Sequence, residues 1–131
     1  MMKLLFPLLV FLAPFIPQGS FQGDFIDEMS KLFQTGNSKE IARNFNGSVA
    51  LSVIHDEDVY SKVQAEQILR DFFSRHSPTS SSVLHLINTN PNMRFGILTL
   101  NTRNGKFRIS ITSKKISNSF LITELRIDPE K

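Results

Sequence analysis

The strongest constraint on how this chain can fold lies between Tyr60 and Lys131, where one amphipathic helical pattern gives way to a series of alternating strand patterns. Ala65, Ile68, Leu69, Phe72 and Phe73 fall at i, i+3, i+4, i+7 and i+8, with Glu66, Gln67, Arg70 and Asp71 opposite. That spacing predicts a helix with a broad apolar stripe on one side. Ser61 and Gln64 form a capping box that starts it. The small polar run Ser77 to Ser82 predicts the loop that ends it. From Val83 the period changes to two, with strands predicted over 83–88, 93–102, 106–112 and 120–127. Residues 89–92 read as a turn, Asn104-Gly105 predicts a type I′ hairpin, Gly96 a bulge or bend, and Pro129 the end of regular structure. A helix so one-sided must lie on a large apolar surface, and the strands that follow it supply one.

Before Tyr60, Asp24 can cap a helix carrying Ile26, Met29, Leu32 and Phe33 at helical spacing, and Gly36 suits a left-handed C-cap. Ser38 caps a second short helix over 39–44, which Gly47 ends. A strand over 48–54, a polar turn through His55, Asp56, Glu57 and Asp58, and a short strand at Val59 and Tyr60 read as a hairpin. The order condenses to α-α-β-β-α-β-β-β. It predicts an α+β domain in which a cone-shaped, curved antiparallel sheet wraps over helices and leaves a hollow near the ends of the amphipathic helix.

The N-terminus reads differently. Lys3 precedes an almost unbroken apolar run, Leu4 to Ile16, followed by Pro17, Gln18, Gly19 and Ser20. This is the pattern of a cleaved export signal over residues 1–20, leaving residues 21–131 as the domain; an uncleaved anchor or a buried first helix are the alternatives. The run is shorter than the ~20 residues that span a bilayer as a helix. The chain has no cysteine. That excludes disulfides, thiolate metal sites, a cysteine nucleophile and the lipid-acceptor cysteine of a lipoprotein. An exported domain without disulfides fits the periplasm or cell envelope of a Gram-negative bacterium. The Asn46-Gly47-Ser48 sequon is then accidental.

The stretches Val59 to Phe73, Arg94-Phe95-Gly96-Ile97-Leu98, Gly105-Lys106-Phe107-Arg108-Ile109 and Leu121 to Ile127 resemble the small exported bacterial domains of unknown function in the nuclear transport factor 2-like superfamily. The likeness covers nearly all of residues 21–131 and rests on packing positions. It implies the cone-shaped α+β barrel shared with ketosteroid isomerase and cystatin-like proteins, a fold used by enzymes and by binding or dimerisation modules alike. It implies no particular activity, cofactor or metal.

Few residues offer chemistry. Alternation puts His85 on the face of Val83 and Ile87, which could line the hollow, yet no acidic residue lies between Asp71 and Glu124 to orient it. A histidine satisfied by backbone or water is the competing reading. Tyr60, the one tyrosine, could aim its hydroxyl into the hollow or simply be half buried against the helix. Glu124 suits a cross-strand pair with an arginine. His55 and the Asp56-Glu57-Asp58 turn lack the spacing of a cation loop, so no metal is expected. Charge is uneven: residues 24–58 hold seven acidic and three basic side chains, and residues 93–126 hold seven basic side chains against Glu124. The basic region suits an anionic ligand, lipid headgroups or an acidic partner, or a solvated face; it lacks the exposed aromatic platform that nucleic acid needs.

Two readings follow. The sparse inventory favours a non-catalytic envelope module for a small ligand or a protein partner, with a homodimer through the open sheet face as a further expectation. The alternative is a small acid–base isomerase, dehydratase or hydrolase using His85 or Tyr60. In both, Tyr60, Phe73, His85, Phe95 and Phe107 are the expected lining.

Overall fold

The computed structural model describes residues 24–131, so the export-signal expectation lies outside the described residues. Helix α1 (Phe25–Gln34) starts at the Asp24 cap, whose carboxylate accepts from the Ile26 N–H while Asp27 reaches back to the Asp24 N–H. It ends in a Schellman motif: Gly36, at φ 65°, donates to Phe33 and Asn37 donates to Leu32. Helix α2 (Ser38–Arg43) follows with Asn37 as its cap. Strands β1 (Phe45–Val53) and β2 (Asp56–Ser61) form a hairpin, and helix α3 (Lys62–Arg75) carries the Ser61/Gln64 capping box in both directions.

Four strands complete the chain: β3 (Pro78–Ile87), β4 (Met93–Thr102), β5 (Gly105–Ile116) and β6 (Ser119–Glu130). The order is therefore α-α-β-β-α-β-β-β-β, one strand more after α3 than the condensed order counts. The six strands form one curved, open sheet in the order β2-β1-β6-β5-β4-β3. All neighbours are antiparallel except β1 and β6, which run parallel because the chain crosses from one half of the sheet to the other through α3. The helices cover a single face. There α1 packs on β3 and β4, α3 packs on β1 and β2, and α2 fills the space beside α3. Alternation builds the core: Phe107, Ile109 and Ile111 of β5 stand in register with Leu100, Leu98 and Gly96 of β4, and Ile127 and Leu125 of β6 continue the row.

Several strands run further than the local sequence suggests. Phe45 to Gly47 belong to β1, where Phe45 pairs with Ile122 across a register shift, so Gly47 does not end the preceding helix. The tight turn between β1 and β2 is Ile54-His55, both at positive φ; Asp56, Glu57 and Asp58 pair with Val53, Ser52 and Leu51 and belong to the strand. The serine-rich run after Ser77 is strand and not loop. Pro78 opens β3 where no N–H is required. Gln34 accepts from the Ser81 N–H on the sheet edge, and Ser30 bonds Ser81 at 2.7 Å, so α1 supplies partners that an isolated polar segment would lack. Pro129 likewise lies inside β6. The Ile127 carbonyl accepts from Ile54, which places the backbone groups of Ile127 and Pro129 on the β1 side; β1 has ended there, and the missing N–H costs no bond.

Gly96 sits in regular register, between Leu86 and Ile111, and no bulge is centred on it. A Cβ at this position would overlap the Ile26 side chain of α1. The glycine lets the helix approach the sheet. The register breaks fall elsewhere: in β1 against β6 between Phe45 and Ala50, in β3 between Pro78 and Ser80 and between Val83 and His85, and between β5 and β6 at Thr112/Ser113.

Candidate functional site

Helix α3 and the β1–β2 hairpin diverge toward the C-terminal end of the helix and enclose an open hollow of about 680 Å³. Its floor is apolar, made by Leu51 and Val53 of β1 and by Ile68 and Phe72 of α3. Polar groups ring it: Gln64, Gln67, Asp71 and Arg75 along α3, Asp56 and Tyr60 on β2, and His76 at the end of the helix. Helical spacing explains the first set, since Gln64, Gln67, Asp71 and Arg75 step along one side of α3 next to its buried stripe. Strand alternation explains the second. Tyr60 and Asp56 pair with Val49 and Val53 and share the inner face, and Glu57 points the other way toward Arg126 at 3.6 Å. Consecutive carboxylates on opposite faces do not converge on one cation.

His76 is the most constrained polar group of the ring. It is the C-cap of α3, and its N–H donates to the Phe72 carbonyl. The imidazole packs against two phenylalanines, 4.9 Å from the Phe72 ring centre and 4.8 Å from that of Phe107. Its Nδ1 lies 3.0 Å from Asn104 Oδ1. The Asn104 Nδ2 donates to the Arg75 carbonyl at 3.1 Å, which assigns the amide orientation and leaves Oδ1 as an acceptor. Nδ1 must therefore carry the proton, and in the neutral ring Nε2 is the acceptor. The β4–β5 turn thus does two things at once: Asn104 closes the last turn of α3 and fixes the histidine tautomer. Asp71 and Arg75 meet at 3.3 Å on the exposed rim.

The residues expected to line the hollow are only partly brought together. Tyr60 does line it. Phe73 and Phe107 are buried in the core, Phe73 against Phe33 at 5.7 Å and Phe107 beside Phe72 and His76. Phe95 lies on the outer face of the sheet, in register with Ile87 and Thr112. His85 also points outward: the register break after Val83 pairs Val83 with the buried Leu98 but His85 with Ile97, so the two no longer share a face, and His85 is exposed. Glu124 makes no ion pair among the described residues, and Arg126 pairs instead with Glu57 and Asp128. The sequence reading places Phe72 in the packed stripe only and gives His76 no role, yet both line the hollow. The signal was present: an aromatic followed four residues later by a histidine at a helix end, one turn apart on one face.

With this geometry in hand, the likeness to other proteins becomes specific. A family model described as a domain of unknown function, DUF4783, matches residues 26–128. The chain belongs to the DUF4783 family. A DUF4783 protein from Bacteroides uniformis ATCC 8492 is 29% identical, with 82% of this chain and 99% of that one covered at a TM-score of 0.78. Another from Bacteroides fragilis YCH46 is 31% identical over 78% of this chain and 95% of its own, at 0.73. An NTF-2-like protein of unknown function from Silicibacter pomeroyi DSS-3 is 10% identical over 80% of this chain and 89% of its own, at 0.60, a likeness of fold alone. No curated protein matches the chain. The DUF4783 domain thus has the nuclear transport factor 2-like fold that the sequence resembles.

Proposed function

We propose that this DUF4783 domain is a non-catalytic binding module of the cell envelope, and that a small organic ligand occupies the hollow between α3 and the β1–β2 hairpin. One observation carries the reading: an apolar floor of Leu51, Val53, Ile68 and Phe72 is ringed by convergent hydrogen-bonding groups, while the ring's histidine is held by an amide and not by a carboxylate. An apolar pocket with a few placed polar groups is the usual form of a small-molecule site. General-base catalysis by histidine calls for a partner that stabilises the imidazolium, and a neutral amide oxygen does this weakly. The ligand that fits has an aliphatic or flat body for the floor and a hydrogen-bonding head for Tyr60, Gln67 and His76. The apolar N-terminal run and the absence of cysteine support placement in the envelope.

A second reading, acid–base chemistry, rests on the other ring nitrogen of His76. Asn104 leaves Nε2 of His76 as an acceptor, the atom a general base uses. It replaces His85 with His76 and keeps Tyr60.

Native mass spectrometry of protein isolated from its own envelope tests the binding reading. A bound small molecule is expected in the wild type and expected to be lost in Gln67→Leu and His76→Ala variants that keep the native circular dichroism spectrum. A wild type that is empty, or a ligand unaffected by both substitutions, would overturn it. If the released molecule differs from the one added back after incubation, the acid–base reading takes its place.

A further inference from the structure

The charges around the hollow do not balance. Two carboxylates and one guanidinium line it: Asp56, Asp71 and Arg75. Arg75 pairs with Asp71 at 3.3 Å, and Asp56 makes no ion pair among the described residues. Chain geometry puts all three at one end. The strand β2, of 6 residues, and the helix α3, of 14, are both about 20 Å long and join directly at Ser61 and Lys62, so the start of β2 lies level with the last turn of α3. The other charged groups nearby do not serve Asp56. Glu57 faces the opposite side of the sheet with Arg126, Arg70 is held by Glu66 at 2.7 Å, and Lys62 begins α3 at its far end. Asp58, on the same side of β2 as Asp56, is a further carboxylate and accepts from the Val59 N–H at 2.7 Å. Whichever lining carboxylate Arg75 takes, one is left without a counter-charge.

The turn beside Asp56 is strained. Ile54, at φ 49°, is a β-branched residue in the left-handed region, in a tight turn where asparagine or glycine is the relaxed choice. Strained residues of this kind persist where the surrounding structure holds them, and they gather at ligand clamps. The Ile54 N–H donates to the Ile127 carbonyl at 2.8 Å, which fixes the turn against β6. Its side chain lines the hollow and is 39% exposed, so it stands at the mouth as an apolar lip two residues from Asp56. Apolar surface beside a carboxylate displaces water and strengthens its pull on an opposite charge. An ammonium group offers three donors and no acceptor, the complement of a carboxylate and of the Nε2 acceptor of His76.

We infer that the ligand of the hollow is a cationic amphiphile, an amine on an apolar body, whose ammonium group is bound by Asp56 and whose body lies under Ile54. The inference rests on the binding reading above and adds the charge of the head. Tyr60 lines the hollow and is the one tyrosine of a chain without tryptophan, so its emission reports occupancy. The full 131-residue chain would be titrated at neutral pH with octylammonium, octanol and octanoate, which share an alkyl body and differ in the head. Octylammonium is expected to bind about tenfold more tightly than octanol, as one charge-assisted hydrogen bond provides, and octanoate more weakly than either. Asp56→Asn is expected to erase the advantage of octylammonium and to leave octanol unchanged, which also shows that the hollow is intact. Ile54→Asn is expected to weaken octylammonium and octanol alike while the melting temperature holds or rises, since it removes the lip and relaxes the turn. Octylammonium no tighter than octanol, or an advantage that survives Asp56→Asn, would overturn the inference and leave the binding reading in place. A preference for octanoate would overturn it by giving the head to Arg75. A melting temperature lowered by Ile54→Asn with both affinities intact would make Ile54 a packing residue and overturn its part. Tyrosine emission indifferent to all three compounds would overturn the binding reading and the inference together.

Discussion

The Arg94 guanidinium donates to Asp24 at 2.8 Å, lies 4.5 Å over the Phe120 ring and reaches the carbonyls of Asn90 and Met93. With side-chain exposures of 20% and 15%, Arg94 and Asp24 are far enough from water for their pairing to matter more than that of a surface ion pair. Removing the arginine would leave Asp24 capping α1 without its counter-charge and Phe120 without its cover. Arg94→Ala is expected to lower stability by about 1–3 kcal/mol in urea denaturation. Arg94→Lys should recover only part of this, since an ammonium cannot offer a planar face and two donors together. A double-mutant cycle with Asp24→Asn that finds no coupling would show that the pair contributes nothing. Asp24 is recognisable as a cap from its own neighbourhood, because capping is a three-residue pattern. Its partner, 70 residues away, is not.

At the level of helices and strands, Gly96 shows how contact between elements selects a residue. The missing Cβ is the space that Ile26 occupies when α1 lies on β4. Gly96→Ala must push the helix outward or force Ile26 off its rotamer, at a cost of about 1–3 kcal/mol read from the urea midpoint. Adding Ile26→Ala should restore part of the loss by vacating the overlapping volume, and a failure to do so would mean that the glycine serves β4 alone. The same long-range logic explains where the sequence could and could not be read. Caps, the α3 stripe and the β5 alternation depend on neighbours along the chain, and they were legible. The extension of β3 through Thr79 to Ser82 depends on α1, and the tolerance of Pro129 depends on where β1 stops. The orientation of His85 depends on a single extra residue in β3. A period-two reading has no access to that break, and one residue of slip exchanges the faces.

For the whole molecule, the hollow is the place where burial has been left incomplete. Packing a core to full density would close the divergence between α3 and β1–β2, yet Ile68 stays half buried and Val53 and Tyr60 only partly covered. Proteins tend to keep such under-packed regions where a site needs the room, and filling them commonly raises stability while removing function. Ile68→Phe tests which case applies. The added ring projects into a space of about 680 Å³ and meets apolar neighbours, so unfolding free energy should stay level or rise by about 0.5–1 kcal/mol. Occupancy by the co-purified ligand in native mass spectra should fall at the same time. A loss of stability beyond about 1 kcal/mol would indicate overpacking in a wall already closed, and the hollow would then be too small to serve as a site. Undiminished occupancy in a stable variant would place the ligand elsewhere on the molecule. Higher stability together with lower occupancy is the joint outcome that only a functional cavity gives.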